Sequence, residues 1–190
     1  MAKKRIILFA SGSGSNAQRI MEYFADHPRA QVVALFSNNP EAYALKRAES
    51  FGVPGFSFTR EAFRGGEVLE RVQKLAPDLI VLAGFLWLVP PAFVAAFPRQ
   101  IINIHPALLP KYGGKGMHGQ HVHRAVLEAG DTVSGITIHF VNEEYDRGTC
   151  IYQHPCPVAE DDTPETLAAR VLLLEHEHLP RVVEELLVNE

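Results

Sequence analysis

In the segment Asn103-Ile104-His105-Pro106-Ala107-Leu108-Leu109-Pro110, an amide and an imidazole follow directly on Arg99-Gln100-Ile101-Ile102, which reads as a buried strand. Side chains alternate faces along an extended chain, so Asn103 and His105 point the same way if the strand continues through them. A hydrogen-bond donor then stands beside a group whose ordinary pKa, about 6.5, suits proton transfer near neutrality. Pro106 and Pro110 bar a helix immediately afterwards, leaving the imidazole on a fixed loop at the carboxyl edge of the sheet, where open α/β sheets bind ligands. The same pair could instead cap loop backbone, and the residues alone leave both readings standing.

Asp146 is the acid that would complete such a site. It lies in Asn142-Glu143-Glu144-Tyr145-Asp146-Arg147-Gly148, after the strand-like alternation of Ser134 to Val141. If that loop folds back over the sheet, the carboxylate meets His105, orients it and raises its pKa; if not, Asp146 is a solvated turn residue. His139, inside the strand, reads as a hydrogen-bonded structural group. His118-Gly119-Gln120-His121-Val122-His123 and His176-Glu177-His178 hold enough imidazole to suggest a metal, but neither has the ligand spacing of a zinc motif. They are expected to be solvated or helix-surface histidines, and no metal is expected.

A second element of chemistry is Ser11-Gly12-Ser13-Gly14-Ser15-Asn16, which ends the first apolar run and opens a helix. Glycines permit a tight turn and close backbone approach, and a helix N-terminus offers unpaired N–H groups with a partial positive charge, so this is an anion cradle. It lacks the Gly-Lys-Ser/Thr ending of a triphosphate loop and the spacing of a dinucleotide fingerprint, which argues against ATP and NAD. The plain alternative is a glycine turn in which Ser13 or Ser15 caps the helix.

The elements that must position these groups alternate short apolar runs with longer amphipathic ones, the pattern of a parallel sheet with crossover helices. Strands are predicted at Arg5 to Ala10, Val32 to Phe36, Gly55 to Phe58, Leu79 to Ala83 and Ile101 to Ile104. Helices are predicted at Ser15 to Asp26, Glu41 to Phe51 and Phe63 to Leu75. After His105 come a glycine-rich loop, a helix near Gly119 to Ala129, and an antiparallel pair at Val133 to Val141 and Thr149 to Pro157. A last helix opens at Thr163-Pro164, with Thr163 as cap and Pro164 at its first position. The fold class is α/β, a single Rossmann-like domain over residues 1–190 with helices on both faces.

A chain of 190 residues can bury a sizeable core. Its 18 basic and 22 acidic side chains, net −4, give no overall electrostatic reason to expect nucleic acid or a membrane surface as partner. Cys150 and Cys156 form no disulfide framework, and reduced thiols suit a cytoplasmic protein. Met1-Ala2-Lys3-Lys4-Arg5 followed by Ile6 to Ala10 looks superficially like a signal sequence, but five apolar residues are too few.

Taken in order, Ser11 to Asn16, Ala83-Gly84-Phe85, Asn103 to Pro110, His139 to Asp146 and Glu175-His176 resemble the folate-dependent phosphoribosylglycinamide formyltransferase family over nearly the whole chain. The resemblance implies formyl transfer from 10-formyltetrahydrofolate to glycinamide ribonucleotide in purine biosynthesis, with no metal and no macromolecular partner, and leaves a homodimer open. It implies Asn103, His105 and Asp146 as the catalytic group. Gly14, Ser15 and Asn16 would bind the ribonucleotide phosphate, and Glu175 its ribose. Phe85, Leu86, Trp87, Leu88, Val89, Arg64, Val141, Asn142, Glu143 and Glu144 would form the folate pocket. Three features depart from the family pattern: Trp87 where an arginine is common, Leu172 where a polar residue is common, and a longer loop over Lys111 to His121, whose Lys111 or Lys115 could supply positive charge.

Other formyl-folate enzymes share the Asn, His and Leu-Leu-Pro signature. The initiator-tRNA formyltransferase normally adds a C-terminal nucleic-acid domain, and the formyl-folate hydrolase an N-terminal regulatory one. These and the sugar-nucleotide formyltransferases resemble the chain less, since the glycine-rich loop suits a monophosphate acceptor. A non-catalytic folate- or nucleotide-binding protein is the reading from a different class.

Overall fold

The structure, a computed structural model, describes residues 2–188; Met1, which opens the basic N-terminal run, lies outside them. Seven strands form one sheet: β1 (Lys4–Phe9), β2 (Ala30–Ser37), β3 (Gly55–Ser57), β4 (Leu79–Leu82), β5 (Ile101–His105), β6 (Val133–Phe140) and β7 (Cys150–Pro157). Their spatial order is β3-β2-β1-β4-β5-β6-β7. Pairing is parallel from β3 through β5 and antiparallel for β5 with β6 and β6 with β7.

Alternation along the strands divides the core in two. Ile6, Leu8, Val81, Ile102 and Ile104 face α1 (Ser15–Phe24), α2 (Tyr43–Ser50), α6 (Gln120–Glu128) and α7 (Pro164–Val188). Ile7, Phe9, Ile80, Leu82 and Ile101 face α3 (Arg60–Gly65), α4 (Glu67–Lys74) and α5 (Pro91–Ala96). With both faces covered, the parallel strands are continuous apolar runs rather than half-polar ones. On the second face, rings of Phe9, Phe58, Phe63, Phe85 and Phe93 lie within edge or tilted contact of one another. They form a rigid floor beneath the segment that follows β4.

The expected single helix over Phe63 to Leu75 is two helices. Gly66, at φ 96, is both the end of α3 and the start of α4, a conformation that side chains other than glycine rarely adopt. The periodicity spans the break because Phe63, Val68 and Val72 all turn to the same core. Sequence reading also passed over α5, a six-residue helix with proline at its start that buries Phe93. At the opposite end of the chain, Thr163 caps α7 as expected. Its Oγ1 accepts from Thr166 N at 3.3 Å, and Thr166 Oγ1 accepts from Thr163 N at 2.9 Å. Among the described residues no helix is long and apolar enough to cross a membrane. The apolar run after the N-terminal basic residues is buried strand β1. Both cysteines are free, Cys150 exposed and Cys156 buried.

Candidate active site

The carboxyl ends of β1, β4 and β5 open into one cavity of about 700 Å³, within the size range of small-molecule sites. Asn103 and His105 stand on its wall at the end of β5. Antiparallel pairing sets His139 opposite Asn103 and Thr137 opposite His105. Thr137 is fully buried: its hydroxyl donates to the Ala107 carbonyl at 2.7 Å and accepts from Leu109 N at 3.0 Å, which pins the loop after His105.

Asp146 reaches this group because its loop folds back onto the sheet. A Cβ at Gly148 would lie 1.5 Å from the Phe140 carbonyl oxygen, so only glycine passes there. Asp146 itself sits at φ 56, a left-handed turn position that aspartate tolerates better than most residues. Opposite it, the glycine-rich loop comes equally close: a Cβ on Gly113 would lie 3.2 Å from Asp146 Cβ, and Gly114 N donates to Asp146 Oδ2 at 2.9 Å.

The cluster is close-knit. Asn103 Nδ2 donates to His139 Nε2 at 3.1 Å and, with a longer bond, to Asp146 Oδ1 at 3.4 Å. His139 Nδ1 donates to the Phe140 carbonyl at 2.9 Å, so its Nε2 is the acceptor for Asn103. His105 Nε2 donates to the Tyr112 carbonyl at 2.7 Å, and its Nδ1 faces Asp146 Oδ2 at 3.5 Å. The expected rise in the His105 pKa is reversed. Burial strips water from the charged ring and takes its pKa below 6.5, and Asp146 with the Tyr112 carbonyl offsets only part of that. Burial also raises the Asp146 pKa, but the imidazoles of His139 and His105 and the Gly114 N–H more than compensate, leaving the acid below its ordinary range and ionised at neutrality.

At another part of the cavity, α1 begins after Gly14, which is left-handed at φ 72 and has no side-chain cap. Neither Ser13 nor Ser15 caps the helix, contrary to the plain alternative, so first-turn N–H groups keep their anion-binding capacity. Ser13 and Asn16 line the cavity; Gly14, the N-cap, and Ser15, the first residue of α1, are not among its lining residues. Asn16 Nδ2 donates to Glu175 Oε2 at 2.7 Å, while Asn16 Oδ1 is buried without a partner. Burial in α7 pushes the Glu175 pKa up to about 7, with the Asn16 bond opposing it. Leu172 borders the same region, and Lys115 lines the cavity, whereas Lys111 is paired with Asp131 at 3.0 Å.

Phe85 to Val89 form an apolar wall, with Leu86 and Leu88 projecting and Leu86 N donating to Ser11 Oγ at 3.0 Å. Arg60 stacks on Trp87, its guanidinium carbon 4.4 Å from the ring centre. Val141 and Glu144 border the cavity; Asn142, Glu143 and Arg64 are not among its lining residues. Among the described residues no set of three or more metal-ligating side chains converges. His118 and His121 are exposed as expected, but His123 is not: it is 4% exposed and lines the cavity. Its position next to Val122 and one turn from Val126, the buried stripe of α6, was the sequence signal for it.

The family model described as formyl transferase matches residues 4–183. The chain belongs to the formyl transferase family. Its relatives include the phosphoribosylglycinamide formyltransferase of Escherichia coli, 38% identical over 184 residues, 94% of this chain and 84% of that protein. The chloroplastic phosphoribosylglycinamide formyltransferase of Arabidopsis thaliana is 43% identical over 188 residues, 95% of this chain. This chain spans 64% of the Arabidopsis protein's length and 61% of that from Vigna unguiculata. The crystal structure of phosphoribosylglycinamide formyltransferase from Anaplasma phagocytophilum superposes with a TM-score of 0.91 at 33% identity, covering 99% of this chain and 88% of that one. The likeness extends through the C-terminal antiparallel pair, so the α/β fold class and the family resemblance read from the motifs both hold.

Proposed function

We propose that this protein transfers the formyl group of 10-formyltetrahydrofolate to the amine of 5′-phosphoribosylglycinamide, a step of purine biosynthesis. The observation that carries this reading is the convergence of Asn103, His105 and Asp146 in a single cavity that also holds an uncapped helix N-terminus and an apolar wall. Each ligand finds suitable chemistry. A phosphate suits the first-turn N–H groups of α1, a ribose hydroxyl suits Glu175, and the flat ring of a folate suits the faces of Phe85, Leu86 and Leu88 with backbone groups at its polar edge. The names of the bacterial and plant relatives, phosphoribosylglycinamide formyltransferases, support phosphoribosylglycinamide as the formyl acceptor.

In the transfer, the amine attacks the formyl carbon and the formyl oxygen gains negative charge. The 3.4 Å bond from Asn103 Nδ2 to Asp146 is the longer of the two that this amide makes, so that N–H is the one most readily exchanged for a stronger bond to the developing oxyanion. Asp146 holds the His105 ring and offsets part of the penalty that burial sets on its charged form, and the charged ring can protonate the departing folate nitrogen. No covalent enzyme intermediate, metal or ATP is called for by this route. All the groups named come from one chain, so a homodimer is not needed to complete the site, and free thiols accord with a cytoplasmic location.

Incubating the protein with both substrates and a chelator, while following the folate product and the formylated ribonucleotide, tests the reading. Transfer in chelator is expected. Formate released without ribonucleotide would favour the hydrolase, no turnover with binding of both ligands would favour a non-catalytic binding protein, and activity that zinc alone restores would end the metal-free route.

A further inference from the structure

We propose that His123 is a further catalytic residue of this transfer, accepting at Nε2 the proton that the attacking amine loses; the inference rests on the activity proposed above. Three buried histidines border the reacting region, and two have a protein group at each ring nitrogen, although the 3.5 Å contact of His105 Nδ1 with Asp146 is loose enough for that ring to give up a proton. His105 gives Nε2 to Tyr112 and turns Nδ1 to Asp146; His139 gives Nδ1 to Phe140 and takes Asn103 on Nε2. His123 has no hydrogen-bond partner among the described residues. Its Nδ1 is sealed and unpartnered, while the ring lines the cavity. The sealed Nδ1 is out of a ligand's reach, so the ring nitrogen of His123 left to meet one is Nε2.

The ligand it fits is a donor that arrives neutral and leaves a proton behind. Burial and the charge of His105 both disfavour protonation of His123, so the ring enters the reaction uncharged. With its hydrogen on Nδ1, the Nε2 lone pair is left for an incoming N–H. Its helix, α6, packs on α7, which carries Glu175, placing His123 in the half of the cavity read as the acceptor side.

The exchange balances. The amine nitrogen forms its bond to the formyl carbon and passes a proton to His123. The bond from that carbon to the folate nitrogen breaks, its electron pair stays on the folate nitrogen, and His105 supplies the proton there. Repulsion between the two imidazoliums ties these events together: as His105 gives up its proton, His123 becomes a better acceptor. Afterwards solvent protons reset both rings.

The test uses His123→Asn and His123→Ala, assayed with both substrates beside a titration with a non-reactive folate analogue. We expect kcat to fall about a hundredfold, KM for the formyl donor and affinity for the analogue to stay as in the wild type, and added imidazole to restore part of the His123→Ala rate. A kcat within threefold of wild type, or analogue affinity falling in step with kcat, would overturn the inference. Should neither variant fold, ¹⁵N spectra of the wild-type imidazoles decide it: the His123 Nε2 resonance must move when ribonucleotide is added, and an unmoved resonance overturns the assignment. A wild type without turnover defeats the proposed function itself, whereas an active wild type with unaffected variants defeats only the role of His123.

Discussion

Replacing Glu175 with glutamine should make this protein more stable at high pH and worse at its task. The carboxyl is 7% exposed, and its one hydrogen bond comes from Asn16, so the folded chain holds it as the neutral acid up to about pH 7 against an ordinary 4.5. The folded state binds this proton more tightly than the unfolded chain does. The stability associated with burying the neutral group is therefore fully present below pH 4.5 and is lost as the pH rises to 7 and beyond. The distance from 4.5 to about 7, at about 1.4 kcal/mol per pH unit, is on the order of 3 kcal/mol at pH 8. Glutamine has nearly the same shape and still offers an oxygen to Asn16 Nδ2, but never ionises. Urea denaturation of Glu175→Gln should show a gain of about 3 kcal/mol over wild type at pH 8 and about 1 kcal/mol or less at pH 5. An equal difference at both pH values would refute the reasoning, since a packing change does not depend on a proton. Ribonucleotide affinity should fall at the same time, the usual trade where a site retains a buried charge for function.

Two further substitutions probe the reacting cluster and the anion cradle. Asp146→Asn should fold normally, because asparagine accepts the left-handed turn at φ 56 at least as well as aspartate, yet lose on the order of a hundredfold in kcat as His105 loses its carboxylate; near-normal turnover with an unchanged pH profile would return Asp146 to a structural role. Gly14→Val should weaken ribonucleotide binding and also cost stability, about 2–4 kcal/mol, since a Cβ there meets Ala44 Cβ at 2.5 Å in a backbone conformation valine resists; an unchanged denaturation midpoint would contradict it.

Much of this architecture was legible because parallel strands advertise themselves. Ile6 to Ala10, Leu79 to Ala83 and Ile101 to Ile102 are short apolar runs with no polar interruption, and the residues that end them, Ser11, Gly84 and Asn103, mark the functional edge. Asp146 was legible as a candidate, though not its contact with His105, which depends on Gly113, Gly114 and Gly148 letting two loops close around it. The direction of the His105 shift was misjudged because a sequence names the neighbouring carboxylate but not the loss of water around the ring. His123 was read as part of a solvated histidine cluster because its neighbours His118 and His121 are solvated; the two-residue step from His121 to His123 around α6 separates surface from buried cavity wall. The break at Gly66 escaped notice because apolar periodicity carries across it.

A crystal structure with glycinamide ribonucleotide and a non-transferable formyl-folate analogue bound together tests the central claim most directly. The account predicts the phosphate on the first-turn N–H groups of α1, the folate ring on the wall from Phe85 to Val89, and the amine and formyl carbon meeting beside Asn103 and His105. Ligands bound elsewhere, or a phosphate and folate seated so that the amine cannot approach His105, would contradict it.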